Sequence, residues 1–224
     1  MKADFVGLGY CSNDHLAVLP FIPMDTKVQM IKHAILGGGP SANSTAGAAD
    51  LGLSAAYIGT VGDDPDGRMI LEDFKRQGVD TSAMKIRPGA SSAIAYLWIE
   101  EKTGNRSCAW TREGPLAGAK AAKEAGVVVN FDAGTLRDGV PELLPYADLL
   151  VCSEEFALKL TGLADAEAAV RKIYDTYHPA VAGATMGVRG SMTFDGTHFV
   201  KLPAFPVEKV VDTTGCGDLY HTGF

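Results

Sequence analysis

The segment from Val210 to Asp218 has the residue types and the spacing of an anion-binding turn. Two valines end a predicted strand, and Gly215 and Gly217 then bracket Cys216 where a helix begins. Glycines let the backbone turn tightly and leave its N–H groups uncovered. N–H groups at the start of a helix lack intrahelical acceptors and lie at the positive end of the helix dipole. The segment therefore predicts a site for an anion such as phosphate.

The carboxylate at the end of this segment has two explanations. Asp218 adds negative charge to an anion site, which makes chemical sense if it takes a proton from a hydroxyl group beside a phosphate. The alternative is that Asp218 only caps the helix. In the first case the backbone amides would hold the charge that develops on the phosphate, and one such donor typically contributes about 3 kcal/mol.

A second group of glycines and polar residues precedes an alanine-rich helix, which the sequence predicts over 41–52. Gly38 and Gly39 would let a ligand approach the backbone, and Asn43 offers both a donor and an acceptor for sugar hydroxyls. Asp14 follows the first predicted strand, and its carboxylate could accept two hydroxyl hydrogen bonds. The structural alternatives are a helix-start asparagine facing solvent and an ordinary turn aspartate.

These segments resemble the two signatures of the ribokinase-like (PfkB) carbohydrate kinases. The segment similar to the second signature is Asp212-Thr213-Thr214-Gly215-Cys216-Gly217-Asp218, with Cys216 where alanine is usual. The segments similar to the first signature are Gly37-Gly38-Gly39-Pro40-Ser41-Ala42-Asn43 and Gly59-Thr60-Val61-Gly62-Asp63-Asp64-Pro65-Asp66-Gly67. The resemblance implies an ATP-dependent sugar kinase that transfers the γ-phosphoryl group to a sugar hydroxyl.

The resemblance also implies a role for individual residues. Asp218 would be the catalytic base, and the amides of Gly215, Cys216 and Gly217 would form the anion hole. The expected sugar-binding residues are Asp14, Gly38, Gly39 and Asn43, and the expected ATP-binding residues are Thr185, Gly187, Gly190 and Thr213. Glu154 and Glu155 stand where many relatives carry N-x-x-E and are the candidates for organising magnesium. The implied cofactors are ATP, Mg²⁺ and, as in many members, a monovalent cation such as K⁺.

Strands alternate with helices along the chain, which predicts an α/β fold with a mostly parallel central sheet in three layers. The resemblance implies one ribokinase-like kinase domain over 1–224 with a small β lid, formed by segments of about 12–35 and 90–112. Lid strands in this family often pair between subunits, so a homodimer is expected. The family continues through further helices and a strand, so the C-terminal part of that fold is expected to be absent.

Composition excludes several classes of protein. The chain has 224 residues with 46% hydrophobic residues and a formal net charge of −7, and it contains no basic run, which argues against nucleic acid and anionic membranes as partners. No apolar stretch predicts a signal peptide or a membrane span. The four cysteines lack metal-site spacing, which indicates free thiols and a cytoplasmic location.

Other nucleotide-binding motifs do not fit. No GxxxxGK[ST] sequence occurs, so the chain is not a P-loop enzyme. The run from Gly7 to Ser12 imitates a dinucleotide fingerprint, but no long amphipathic helix follows it. The alternatives that stay open are a nucleoside kinase with an acceptor such as adenosine, a non-catalytic sugar- or nucleotide-binding relative and, more distantly, an NAD oxidoreductase.

Overall fold

The computed structural model describes residues 3–111, 122–208 and 215–223. They belong to two compact units, the first formed by Met1–Pro115 with Lys209–Gly223 and the second mainly by Leu116–Glu208. Most of the helix expected over 116–125, and the strand end at 210–211, lie outside the described residues. No helix within the described ranges is long and apolar enough to cross a membrane.

The first unit contains two parallel strand pairs, a four-stranded sheet and three helices. Its strands are β1 (Phe5–Leu8), β2 (Ser12–Leu19), β3 (Lys32–Gly38), β4 (Ala55–Ile58), β5 (Thr60–Gly62), β6 (Lys85–Arg87), β7 (Ile94–Glu100) and β8 (Arg106–Trp110). Its helices are α1 (Pro40–Asp50), α2 (Pro65–Arg76) and, after the second unit in the chain, α5 (Cys216–Thr222). The strands β1 and β4 pair in parallel, as do β5 and β6.

The body of the first unit is held together by small side chains on α1 and by an aromatic pair. Ala42 and Ala48 of α1 are buried against the β1–β4 pair. Tyr57 is fully buried, and its ring lies 4.7 Å from that of Phe74. Because alanine carries no side chain beyond Cβ, α1 can lie close to the strands, which brings the residues at its N-terminus near the strand ends.

Helix α2 begins where the sequence predicts it, because Asp64 caps it. The Asp64 carboxylate accepts a hydrogen bond of 2.8 Å from the backbone N–H of Gly67, and Pro65 occupies the first helical position. The same carboxylate accepts hydrogen bonds from the backbone and the hydroxyl of Ser92. Burial acts to raise the pKa of Asp64, but the hydrogen bonds from Ser92 and Gly67 outweigh it and lower the pKa.

The expected lid corresponds to a four-stranded sheet with the order β3-β2-β7-β8. Its central strands β2 and β7 are parallel, and the two outer pairs are antiparallel. The apolar segment Val28–Ile31 predicts an edge strand from the sequence, and that prediction is wrong: the paired strand is Lys32–Gly38, which continues directly into the glycine segment. Its pairing register sets this position, because Val18 pairs with Lys32 and Ser12 pairs with Gly38.

The second unit is a five-stranded sheet with two described helices. Its elements are β9 (Asn130–Ala133), β10 (Leu149–Ser153), α3 (Glu154–Thr161), α4 (Ala166–Tyr177), β11 (Val181–Thr185), β12 (Ser191–Phe194) and β13 (Phe199–Leu202). The order is β13-β12-β11-β10-β9, with β9, β10 and β11 parallel and the other two antiparallel. Phe156, Val170 and Phe194 are among the side chains of its buried core. Strand β9 begins three residues later than the sequence predicts.

Gly190 ends a tight turn whose geometry only glycine fits. Its φ is 91° and its ψ is −137°, and a Cβ there would overlap the carbonyl oxygen of Leu202 in β13. Gly162 ends α3 in the left-handed region with φ 69°, but a Cβ there would have no neighbour within 4 Å. An alanine at Gly162 would therefore add backbone strain alone, whereas an alanine at Gly190 would add both strain and steric overlap.

We expect Gly190→Ala to reduce the free energy of unfolding by more than about 2 kcal/mol, since it adds overlap to a glycine-only conformation. Gly162→Ala, the matched control, should cost only about 1 kcal/mol, because it adds strain alone. Chemical denaturation followed by circular dichroism measures both. Equal losses for the two variants would contradict the packing at β13.

Candidate active site

The two predicted signatures meet in the first unit. The side-chain amide of Asn43 donates a hydrogen bond of 2.6 Å to the carboxylate of Asp218, although the residues are 175 positions apart in the sequence. The hydroxyl of Ser44 donates a second bond, of 2.8 Å, to the backbone carbonyl of Asp218. The candidate base and the candidate sugar-binding amide are therefore in direct contact.

Close packing of α1 on α5 positions this contact. A Cβ on Gly47 of α1 would already lie 3.1 Å from side-chain atoms of Leu219 and Thr222 of α5, so nothing larger than glycine fits without movement. The hydroxyl of Thr222 also bonds to the backbone carbonyl of Ser44. The small residues that make α1 alanine-rich thus let the two helices approach closely enough for their N-terminal residues to bond.

The glycine segment before α1 is shaped by what lies beside it. Gly39 precedes the helix with φ 101°, a left-handed conformation, and a Cβ there would overlap the carbonyl of Tyr10. Gly38 is buried, and a Cβ on it would overlap the carboxyl group of Asp14. Asp14 therefore lies against the backbone of Gly38, as expected if both belong to one binding site.

Asp14 is a half-buried carboxylate held by a neighbouring hydroxyl. Ser12 Oγ donates to Asp14 Oδ1 at 2.7 Å, and Ser12 is itself 2% exposed. Burial raises the pKa of Asp14, while the hydrogen bond from Ser12 and the nearby imidazole of His15 act to lower it. The hydrogen bond from Ser12 fixes one carboxylate oxygen, and burial makes Asp14 harder to ionise than an exposed aspartate. Both features suit a group that accepts hydrogen bonds from a ligand.

Apolar side chains flank Asp14 across the sheet. Its cross-strand partners are Leu36 on one side and Ala95 on the other, and Ala95 in turn pairs with Trp110. Leu36 and Trp110 are about half exposed. Partial burial and the charge of Asp14 also raise the pKa of Cys108 on β8. The row from Leu36 to Trp110 therefore places the Asp14 carboxylate between apolar side chains.

A small cavity of about 30 Å³ lies among these elements. It is lined by the residues Cys11, Ser12, Gly37, Gly38, Asn43 and Asp73, together with residues of α1 and α2. Burial raises the pKa of the Cys11 thiol to about 11, so this cysteine stays protonated at neutral pH and is a packing residue. All four cysteines are free, which agrees with the prediction from the sequence.

The remaining predicted residues are distributed between the turn before α5 and the second unit. Gly215 precedes α5 with φ 79°, and Cys216 and Gly217 form its exposed first turn. In the second unit Thr185 ends β11, and Gly187 and Gly190 bound the turn that follows it. Thr213 lies outside the described residues.

The two candidate magnesium residues already have cationic neighbours. Glu154 forms an ion pair with Arg189, and Glu155 forms one with Lys159 at 2.5 Å. Both glutamates lie in the first turn of α3, where the helix dipole favours negative charge, and Ser153 caps this turn through Phe156 N. Within the described ranges, no group of three or more His, Cys, Asp or Glu side chains could hold a metal ion. A role for Glu154 or Glu155 in organising magnesium through water stays a prediction.

Sequence reasoning missed two supporting hydroxyls. Ser12 and Asp14 are two residues apart on a strand and so share a face, a spacing that could have indicated their hydrogen bond. Ser44 follows Asn43, but a sequence gives no sign that its hydroxyl would reach the backbone of α5. Both serines are at least nine-tenths buried.

Comparison with known proteins shows the family of this chain. A family model described as pfkB family carbohydrate kinase matches residues 3–114 and 116–224. Probable fructokinase-6, chloroplastic, of Arabidopsis thaliana is 28% identical over 237 residues, which cover 83% of this chain and 60% of the relative. Ribokinase of Haemophilus influenzae is 26% identical over 262 residues, which cover 100% of this chain and 85% of the relative.

A solved structure has the same fold. The structure of Arabidopsis thaliana ribokinase complexed with ribose and ATP matches with a TM-score of 0.84 and 24% identity, over 99% of this chain and 84% of that one. The expected α/β, ribokinase-like fold is therefore confirmed. With the family model covering nearly every residue and both signatures in contact, the chain belongs to the pfkB family of carbohydrate kinases.

Proposed function

We propose that this chain transfers the γ-phosphoryl group of ATP to a hydroxyl group of a sugar, with Asp218 as the general base. The observation that carries the proposal is the 2.6 Å hydrogen bond between Asn43 and Asp218. A group that holds sugar hydroxyls and a group that removes a proton must lie beside each other, and these two residues do. The bond also fixes the orientation of the carboxylate, which favours proton transfer in a defined direction.

The sugar end of the site uses Asp14, Gly38, Gly39 and Asn43 in this proposal. Asp14 accepts hydrogen bonds from ring hydroxyls with the oxygen that Ser12 leaves available, and the glycine backbone lets the ring approach closely. Leu36 and Trp110, on either side in the same row, would contact the C–H faces of the sugar. Asn43 then holds the hydroxyl-bearing end next to Asp218.

The phosphoryl end uses backbone amides. In the proposed reaction Asp218 removes the proton as the hydroxyl oxygen attacks the γ-phosphorus in line, and ADP leaves. The N–H groups of Gly215, Cys216 and Gly217 stabilise the charge on the transferred group. Thr185, Gly187, Gly190 and Thr213 are the proposed contacts to the ATP phosphates.

Magnesium is part of this proposal as the partner of ATP. Bound to the nucleotide, it would neutralise charge on the phosphate oxygens. The ion pairs of Glu154 and Glu155 argue against direct ligation by either residue, so no step of the mechanism depends on them. A monovalent cation such as K⁺ stays a prediction.

We further propose that the lid sheet joins two copies of this chain. Ile35, Tyr96 and Trp98 are large apolar residues with 37–47% exposure on the face opposite Asp14. A cluster of exposed apolar residues of this kind is typical of a protein–protein contact. The face that carries Asp14 must stay open to the sugar, which leaves the opposite face for a partner. Free thiols favour the cytoplasm as the location.

Asp218→Asn tests the proposed base. The amide oxygen can still accept from Asn43, so we expect sugar binding to be unchanged while kcat falls by about 10³-fold, since the proton acceptor is lost. ADP release measured across a panel of sugars and nucleosides gives kcat, and calorimetry gives sugar affinity. Asp175→Asn on the exposed face of α4 is the control. A kcat within tenfold of wild type would refute the role of Asp218.

Gly38→Ala tests the sugar end. Gly38 does not have a positive φ, so alanine fits the backbone, and the atoms nearest to its Cβ belong to the Asp14 carboxyl group, which must move. We expect the KM for sugar to rise about tenfold, the effect of losing a hydrogen bond to a charged group, with the KM for ATP unchanged. Gly134→Ala, where a Cβ meets nothing within 4 Å, should leave both constants as they are. An unchanged sugar KM would mean that Asp14 does not contact the sugar.

The double variant Ile35→Lys/Trp98→Lys tests the dimer. We expect light scattering coupled to size-exclusion chromatography to give a dimer for the wild type and a monomer for this variant, because two buried ammonium groups would face each other across the contact. Leu36→Lys places the same charge on the opposite face of the sheet and should leave the dimer intact. A monomeric wild type, or a dimer that survives the double variant, would contradict the proposed face.

A further inference from the structure

We propose that Asp66, in the first turn of α2, is a positioning residue that holds the lid strand β2 so that Asp14 faces the sugar. Nothing in the signature resemblance assigns it a role. The inference rests on the proposed function because Asp14 is taken to bind the sugar. The claim that Asp66 holds β2 rests only on the contacts between α2 and β2.

The contact is a double hydrogen bond from a buried amide. Asn13 Nδ2 donates to Asp66 Oδ1 at 2.9 Å and to the backbone carbonyl of Asp66 at 3.1 Å. Asn13 is 1% exposed, and Asp66 has a side chain about one-third exposed. The imidazole of His15 lies 4.0 Å from the same carboxylate oxygen. Asn13 and His15 share one face of β2, and both side chains therefore lie beside Asp66.

The amide is costly where it lies, which indicates orientation rather than stability as its purpose. Asn13 Oδ1 is buried and has no hydrogen-bond partner among the described residues. An unsatisfied buried acceptor costs free energy that an apolar residue of similar size would not. The amide instead orients the strand, because its two N–H groups bond to Asp66 and fix β2 relative to the start of α2.

Strand geometry links this contact to the sugar site. Side chains alternate between the two faces of a strand, so Asn13 and Asp14 point to opposite faces of β2. A rotation of the strand, or a shift by one residue, would turn Asp14 away from Gly38. With Asn13 bonded to Asp66 on one face, Asp14 is held against Gly38 on the other.

Asp66 can be tested without damaging α2. The neighbouring lid contact, from Ser92 to Asp64, fixes the entry to β7 in a similar way, but Asp64 also caps the helix and its loss would have two effects. Asp66 has no capping role, because Gly67 N bonds to Asp64 instead. Glu72, an exposed acid on the same helix, serves as the matched control.

The first measurement is hydrogen exchange of the full chain, followed by mass spectrometry. We expect Asp66→Ala and Asn13→Ala to speed exchange of the β2 amides about tenfold, while β9, β10 and β11 keep their rates and Glu72→Gln changes nothing. The double variant should be no faster than the faster single one, since Asn13→Ala removes both bonds to Asp66 and Asp66→Ala removes one of those two. Unchanged β2 exchange in Asp66→Ala overturns the proposal.

The second measurement separates positioning from a general structural role. Asp66→Ala should raise the KM for sugar about tenfold with kcat within about twofold, and Asp66→Asn, which keeps an acceptor for Asn13, should restore the KM. A fall in thermal stability with an unchanged KM would overturn the positioning role. If the wild type phosphorylates no sugar while Asp66→Ala still speeds exchange of the β2 amides, the proposed function is wrong. The conclusion that Asp66 holds β2 would then remain.

Discussion

The hydrogen bond from the Asn43 amide to the Asp218 carboxylate joins two helices that are far apart in the sequence, and the proposed chemistry depends on it. Glycine at position 47 of α1 lets α5 pack closely against it, which favours this bond. A Cβ at Gly47 would lie 3.1 Å from side-chain atoms of Leu219 and Thr222, so those side chains would have to move by a few tenths of an ångström, and a larger residue would disturb the contact further. Backbone proximity, set by small side chains, is therefore the constraint that comes before any chemistry.

The sugar end follows the same principle with a different cost. Asp14 lies so close to Gly38 that no side chain fits between them, and burial raises its pKa. A carboxylate in such a place is less stable than one in water, and Ser12 offsets only part of that cost with one hydrogen bond. A ligand with several hydroxyl groups would satisfy the hydrogen-bonding capacity that Ser12 leaves. The half-buried carboxylate of Asp14 therefore explains both the cost in stability and the proposed affinity for a sugar.

Much of this could be read from the sequence because the signals are local. Pro65 after Asp64 predicts the start of α2, and the turn residues from Lys102 to Asn105 predict the hairpin of β7 and β8, since caps and turns depend only on near neighbours. The lid strand β3 was misplaced because its position is set by pairing with β2, a non-local contact. The partners of Glu154 and Asn13 are equally non-local, so the sequence gives no sign of the ion pair with Arg189 or of the hydrogen bonds to Asp66.

Polar residues at the first turn of α2 hold one end of the four-stranded sheet. The two central strands β2 and β7 are each tied to this turn, one through Asn13 and the other through Ser92. Both ties are hydrogen bonds at the end of the sheet where β2 and β7 begin. Asp14 lies next to Asn13 and pairs with Leu36 and Ala95, so these ties hold the part of the sheet that carries the carboxylate. The start of α2 therefore contributes to the position of Asp14 as well as to the packing of the sheet.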